Sequence, residues 1–452
     1  MHEKALSDLA GHSHVVVSWV GDDGYPVQTP ARFKVDEEKG IVRIATTGLA
    51  LPTDRRVNVM GSHIRPQPGT GYDERRYTEL WGTLRRDGDE MVLAPERAWG
   101  WDEKETPFFE YAERSNRRAR AYMRALAEER GAAVRPRLSP VWTALLATRL
   151  PFLTGTIVPV LVGIAVAGRQ GYFDPWPAIL TIIGGAAVHI GLNVANDVFD
   201  EMSGADEENV NPTQFSGGSR VIQRGLVSLR RMGLIAMASY AVAIAIGLYL
   251  VVTRESTELL VIGVLGVLIS VFYTAPPLRL VHHGLGEIAV AIGFGPVMVL
   301  GAYVVQAQKL TAEPFVASVP IAILIALILY VNEIPDRRSD ASVGKRTLPV
   351  RFSRETVTTG FLVAASAAFA TVFVAAVLGV IPRPAIISLL GIPLALSVYR
   401  GIQQYYSSPY ELMATMGKNV QLHLVVGMLM FTGYLAAITI DGLFEDAPDL
   451  LT

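Results

Sequence analysis

From Val141 almost to the C-terminus, apolar runs long enough to cross a lipid bilayer follow one another with little between them. A run needs about 20 apolar residues to traverse about 30 Å of hydrocarbon. Nine candidates lie at roughly 142–167, 176–199, 232–252, 258–274, 286–306, 314–333, 357–380, 384–400 and 421–440, the fourth and eighth being the shortest. In lipid, every backbone polar group must find a partner inside the protein, and runs of this length do so as helices. The expectation is an all-α membrane bundle of about nine transmembrane helices over residues 142–445.

The first 140 residues have another character. They are rich in Arg, Asp and Glu and hold no long apolar run. With 452 residues in all, at least two domains are expected. Short strands are read at His14–Val20, Pro26–Val35 and Ile41–Thr47, separated by the turns Asp22-Asp23-Gly24 and Glu37–Gly40. Tyr77–Arg86 and Met91–Ala94 form a hairpin across Asp87-Gly88-Asp89. Residues 107–130 read as a polar amphipathic helix. A small soluble β-rich domain over 1–130 is therefore expected, joined by a Pro- and Gly-containing linker at 131–141.

Charge and composition exclude several classes. The net charge is −2, which gives no global basic surface for nucleic acid. There is no Cys, so disulfides, zinc thiolate sites and cysteine catalysis are excluded. The opening MHEKALSDLAGHSHVVV lacks a basic segment followed by an apolar one, so no secretory signal is expected. Basic residues favour the cytoplasmic side of short loops. The loops after even-numbered runs carry twelve Lys and Arg, against four in the opposite loops. That bias predicts a multi-pass protein of the cytoplasmic membrane, with the N-terminal domain and the polar loops described next on the cytoplasmic side.

Two acidic clusters end the second and sixth runs. The first is Asn193-Val-Ala-Asn196-Asp197-Val-Phe-Asp200, continuing to Asp206. The second is Asn332-Glu-Ile-Pro-Asp336-Arg-Arg-Ser-Asp340. Asn196 and Asp200 share a helix face, as do Asn332, Asp336 and Asp340, because residues four apart are neighbours on a helix. Carboxylates at a membrane boundary are costly, since an Asp near the bilayer centre costs about 2.5–3.5 kcal/mol. They call for a compensating cation. Mg²⁺ suits, because it takes oxygen ligands from one or two carboxylates and completes its shell with water and phosphate. Two such ions would clamp a diphosphate as a leaving group. Basic residues follow each cluster: Phe215-Ser-Gly-Gly-Ser-Arg220 after the first, Gly344-Lys345-Arg346-Thr347 after the second. The glycines could expose backbone N–H groups to phosphate. Arg149, inside the first run, is a further intramembrane charge that needs a partner.

These phrases, with ATRLPFLTGTIVPVLVG (147–163), YTAPPLRL (273–280) and GLGEIAVAIGFGPVMVLGAYVVQ (284–306), resemble the UbiA superfamily of intramembrane prenyltransferases. Within it the chain is most similar to the 1,4-dihydroxy-2-naphthoate branch of menaquinone synthesis. The resemblance implies nine helices around a cavity and Mg²⁺-dependent transfer of a polyprenyl group from its diphosphate to an aromatic acceptor. It implies Asp197, Asp200, Asp206, Asp336 and Asp340 as metal-binding, and Asn196, Arg220, Lys345, Arg346, Arg149 and Asn332 as diphosphate-binding. Asp200, Asp336 and Tyr273 would be catalytic, Tyr273 lining the acceptor site or shielding an allylic cation with its π face. Glu287 falls in a family phrase near the same side, and His189 is expected to pack or hydrogen-bond inside the bundle.

Residues 15–47 and 79–97 resemble the split β-barrel of pyridoxamine 5′-phosphate oxidase-like flavoproteins. That likeness implies an FMN or deazaflavin phosphate near Thr46, Thr47, Arg55 and Arg56, or a barrel that keeps the fold without the cofactor. Counterparts of the oxidase substrate-binding Arg and His motifs are not evident. The competing readings are a UbiA-type transferase for hydroxybenzoate, homogentisate, a chlorin, haem or a glyceryl phosphate lipid, and a membrane-anchored flavin reductase or transporter. Against a transporter, the polar residues gather at helix ends rather than at the midplane.

Overall fold

A computed structural model describes residues 2–22, 26–46, 50–67, 72–131, 138–204, 209 and 212–445. The chain divides into two compact units, residues 1–118 and 119–452.

The first unit contains a helix, α1 (His2–Ala10), and eight strands: β1 (Val15–Val20), β2 (Pro26–Ala31), β3 (Phe33–Asp36), β4 (Ile41–Ala45), β5 (Arg55–Pro66), β6 (Tyr72–Asp87), β7 (Glu90–Leu93) and β8 (Arg97–Asp102). Period-two patterning decides which face is buried. Val15 and Val17, Val42 and Ile44, Val57 and Val59, Leu80 and Leu84, and Met91 and Leu93 form one core, joined by Leu6 and Leu9 of α1. The sheet is antiparallel in the order β2-β1-β5-β6-β7-β4-β3. Long β6 carries β5 along one edge and shares the other between β8 and β7. Among the described residues no ladder joins β2 to β3, so the expected antiparallel domain is present as an open, split sheet and not a closed barrel. Pro26 and Pro30 in β2 lack amide donors, which suits an edge strand. The two end strands are nonetheless consecutive, separated only by Arg32, whose carbonyl accepts from Ala45 N at 3.0 Å. The single strand expected over Pro26–Val35 is thus two strands with a bend.

A helix, α2 (Phe108–Arg130), follows. Its first turn is anchored by aromatic contacts: Tyr111 stacks on Trp101 with ring centroids 4.4 Å apart, and Arg75 lies 4.0 Å over the Phe108 ring.

The second unit is helical. It comprises α3 (Pro140–Thr148), α4 (Thr154–Arg169), α5 (Pro175–Ser203), α6 (Leu229–Arg254), α7 (Thr257–Phe272), α8 (Gly286–Ala307), α9 (Ala312–Ser342), α10 (Arg354–Val377), α11 (Arg383–Tyr405) and α12 (Pro409–Glu445). Seven of these are long and apolar enough to cross a membrane, and α4 and α7 are shorter apolar helices. These nine stand where the nine apolar runs were read. Side-chain caps start several of them: Asp174 accepts from Trp176 N, Ser228 from Arg231 N, Ser256 from Leu259 N and Ser353 from Thr356 N. The first run is not continuous. Arg149 adopts a left-handed conformation (φ 49°, ψ 43°) and a 3₁₀ turn at Leu150–Leu153 separates α3 from α4. Pro151 explains the break, since it lacks an amide donor and disfavours helix at the residue before it.

Helix α9 is the most buried of the seven, with two-thirds (67%) of its apolar window inside the bundle. It packs closely on α8, where a Cβ at Gly295 would sit 2.3 Å from Ala322 Cβ. Small residues at such contacts let backbones approach within a membrane, where dispersion rather than water exclusion drives packing.

Candidate active site

Helix α5 has 29 residues and α9 has 31. About 20 residues cross the hydrocarbon, so each has roughly two to three turns to spare. The spare turns at the C-terminal ends carry the two acidic clusters. Both clusters line one polar cavity of about 190 Å³, which takes in Asn196, Asp200, Asn332, Asp336, Asp340 and Lys345.

On α5, Asn196 Nδ2 donates to Asp200 Oδ2 at 2.8 Å, as the i, i+4 spacing requires. Asp200 Oδ1 is buried without a partner. Asp197 faces elsewhere: its Oδ1 lies 3.2 Å from Arg149 Nη2, and it accepts from Ser219 N. The lone charge of the first run therefore has its partner in the first cluster.

On α9, Asp336 is covered by the loop after α5. Asn209 Nδ2 donates to its Oδ1 at 2.9 Å and Gly217 N to its Oδ2 at 3.0 Å. Gly217 needs to be Gly: its φ is +74°, and a Cβ there would lie 2.6 Å from Asn209 Nδ2. Arg220, buried and also left-handed (φ 62°), donates from Nη2 to the Asn209 carbonyl at 3.0 Å. Asn332 Oδ1 has no partner. Asp340 Oδ1 faces Lys345 Nζ at 3.5 Å, both largely buried. Burial works against the Lys345 ammonium, but the carboxylates of Asp340, Asp200 and Glu333 outweigh it and hold the amine well above the ordinary lysine value. Arg346 is exposed and does not line the cavity, its amide donating to the His282 carbonyl at 3.0 Å. Asp206 lies outside the described residues.

The polar cavity adjoins an apolar groove of about 400 Å³ between α5, α6, α7 and α8. Leu192, Tyr273, Val290 and Phe294 line both, so buried Tyr273 stands at the junction. The groove reaches along α7 from Tyr273 to Leu259, about 21 Å at 1.5 Å per residue. Leu248, Val264 and Leu268 on its margin are exposed, which in a bilayer means exposed to lipid. Three further lining residues of the polar cavity were not singled out from sequence for the site: Glu333, Phe152 and Phe294. Glu333 sits inside the second acidic phrase, but which face of α9 it occupies becomes evident only when the helices are packed.

The donor set fits Mg²⁺ in chemistry. Asp200 Oδ1 and Asn332 Oδ1 are unpartnered oxygens beside further carboxylates on Asp336 and Asp340. Among the described residues no three carboxylate or imidazole groups converge closely enough to enclose an ion alone. Mg²⁺ is commonly held by one or two carboxylates, with water and phosphate supplying the rest.

Comparison with known proteins bears on the same residues. The family model described as the UbiA prenyltransferase family matches residues 156–433. The chain belongs to the UbiA prenyltransferase family. This UbiA chain is an enzyme, a multi-pass membrane prenyltransferase. It is 26% identical to a 2-carboxy-1,4-naphthoquinone phytyltransferase of Synechocystis sp., over 66% of this chain and 94% of that one. It is 28% identical to a 1,4-dihydroxy-2-naphthoate octaprenyltransferase of Bacillus subtilis, over 64% of this chain and 90% of that one. Among solved structures, a UbiA homolog from Archaeoglobus fulgidus bound to DMAPP and Mg²⁺ is similar at 15% identity and a TM-score of 0.48, covering 66% of this chain and 99% of that one.

The UbiA match leaves the N-terminal unit outside it. Of the flavin-phosphate set there, Thr47 lies outside the described residues. The Thr46 hydroxyl donates to the Asp89 carbonyl at 2.6 Å. Arg55 pairs with Asp22, and Arg56 Nε lies 3.8 Å from Glu96, all on the surface. Each described member of the set already has an internal partner, so a phosphate would have to displace two carboxylates. The residues present do not fit that group well.

Proposed function

We propose that this enzyme transfers a polyprenyl group from its diphosphate to 1,4-dihydroxy-2-naphthoate, giving a demethylmenaquinone in its reduced, dihydroxy (quinol) form, with Mg²⁺ at the two acidic clusters. One observation carries the reading: the clusters of α5 and α9 line a single cavity that shares the wall residues Leu192, Tyr273, Val290 and Phe294 with an apolar groove. A substrate with a doubly phosphorylated head and a long apolar tail has both needs met in adjoining spaces. The relatives named for naphthoate acceptors favour that acceptor.

The residues divide the work. Asp200, Asp336 and Asp340 would hold the ions, with Asn196 and Asn332 as neutral oxygen and amide partners. Bound Mg²⁺ would supply charge neutralisation of the departing diphosphate. Lys345 adds a buried cation on the same wall and Arg220 holds the loop that covers Asp336, while Arg149 and Asp197 fix the base of the cluster. The C1–O bond of the prenyl diphosphate breaks with its electron pair leaving on the diphosphate. Tyr273 at the junction presents an aromatic ring near the allylic carbon so formed. The acceptor ring attacks that carbon, and in the naphthoate case the ring carboxylate departs as CO₂, leaving its bonding pair to restore aromaticity. Walls of Leu192, Val290 and Phe294 keep water from the cation.

The Lys and Arg bias of the loops supports placing the acidic clusters and the N-terminal unit on the cytoplasmic side. The test is an assay of the full-length protein in detergent with dihydroxynaphthoate, a polyprenyl diphosphate and Mg²⁺. Prenylated product is expected, lost on chelation with EDTA and reduced at least a hundredfold in Asp200→Asn and Asp336→Asn. Failure of the folded protein to prenylate any aromatic acceptor overturns the reading.

A further inference from the structure

The polar cavity has a deep end that the diphosphate site does not use. His189 lies seven residues before Asn196 on α5, two turns or about 10 Å further into the bundle. It is 4% exposed and lines the cavity. Its Nδ1 is tied to Thr156 Oγ1 at 2.8 Å. Its Nε2 is buried without a partner. An unpaired buried nitrogen costs free energy comparable to a lost hydrogen bond, so a ligand that reaches it gains that much.

The surroundings are shaped for a flat ring. Phe294 and the imidazole meet edge to face, with centroids 5.3 Å apart and planes at 75°. Gly155 keeps the adjoining wall open: a Cβ there would stand 4.0 Å from His189 Cε1 and 2.7 Å from Ile325 Cδ1. Asn193, one turn above, also lines the space.

We propose that His189 binds the aromatic acceptor, its Nε2 taking a ring hydroxyl at the deep end of the cavity. The claim rests on the reading that the acceptor is a hydroxylated aromatic. Either tautomer serves. If Thr156 donates to Nδ1, then Nε2 carries the proton and donates to the hydroxyl oxygen; if Nδ1 donates to Thr156, then Nε2 accepts the hydroxyl proton. Thr156 is thus a positioning residue that fixes the ring plane. A site built to hydrogen-bond a hydroxyl rejects analogues that lack it, because its own polar group is then left unpaired. The prenyl tail leaves the cavity past Tyr273 into the groove, so acceptor and tail approach the reacting carbon from different sides.

The test compares full-length wild type with His189→Phe, His189→Gln and Thr156→Val in detergent. The acceptors are 1,4-dihydroxy-2-naphthoate and its two monohydroxy analogues. Wild type should discriminate against one monohydroxy analogue. His189→Phe should raise the KM of the dihydroxy acceptor about tenfold to a hundredfold, leave the KM of the prenyl diphosphate within about twofold, and lose the discrimination. His189→Gln should recover part of it. Equilibrium binding of the naphthoate in the absence of prenyl diphosphate should weaken in parallel. Unchanged acceptor KM and discrimination in His189→Phe overturn the proposal, as does an equal rise in both KM values. If His189→Phe does not fold, Thr156→Val decides: its acceptor KM should rise several-fold, and an unchanged value overturns the proposal. A wild type that uses no hydroxylated aromatic sinks the acceptor reading first and this inference with it, whereas normal wild-type turnover with an indifferent His189 sinks this inference alone.

Discussion

At the scale of single residues, the contacts of Asp197 and Asp200 differ sharply though they stand three apart. Asp200 keeps an unpartnered oxygen in the cavity, while Asp197 is bound to Arg149 and to Ser219 N. Asp197 is 2% exposed, so removing either partner leaves an uncompensated buried charge. Such losses cost about 3–5 kcal/mol, whereas removing both partners costs much less. Arg149→Met alone should lower the thermal midpoint in detergent markedly, and Arg149→Met with Asp197→Leu should restore most of it. Additive destabilisation in the double variant would show that the pair is not coupled. The Asn-x-x-x-Asp offset was legible because helix geometry puts residues four apart on one face. The Arg149–Asp197 pairing was not, because it depends on how α3 and α4 meet α5. His189, expected to pack or hydrogen-bond inside the bundle, does bond there through Thr156. That the residue also lines the polar cavity is a matter of helix rotation, which a single sequence does not encode locally.

At the scale of elements, the loop from 209 to 220 matters most. It brings an amide and a side-chain donor onto Asp336, and its geometry needs a left-handed residue at 217. A left-handed non-glycine costs roughly 1–2 kcal/mol, and the added Cβ also crowds Asn209. Gly217→Ala should therefore lower kcat about tenfold or more while leaving the helical far-UV spectrum intact. An unaffected kcat would show that the loop need not sit on Asp336 during turnover. The glycines of the FSGGSR phrase were legible as a phosphate-approach signal, but their use to reach a carboxylate on a distant helix was not. In the sheet, β5 and β8 escaped the sequence reading for separate reasons. β5 opens on the exposed pair Arg55-Arg56, and its alternation around Val57 and Val59 is short, giving way to the largely exposed Ser62–Pro66. β8 has no fully buried residue, and its alternation is confined to Trp99 and Trp101. The nine apolar runs were legible because sustained apolar length separates them from the polar loops, whereas the interruption of the first at Arg149, beside Pro151, was not read from the sequence.

At the scale of the molecule, the two units have separate cores: Leu9, Val17, Ile44, Leu80 and Leu93 in the first, and the interhelical clusters around Tyr303 and Phe361 in the second. A fragment spanning residues 1–131 should fold by itself into a soluble β-rich domain with a cooperative thermal transition. A random-coil far-UV spectrum from that fragment would refute its autonomy.

The apolar groove with exposed margins has a kinetic consequence. If a tail enters from the side, the amount that governs saturation is the number of substrate molecules per lipid, not per litre. The enzyme would then be titrated in two dimensions. Diluting a proteoliposome suspension with buffer at constant acceptor concentration would leave the rate per enzyme unchanged. Adding inert phospholipid to the same bilayers would lower it, and an unsaturated rate would fall in proportion to the mole fraction of prenyl diphosphate.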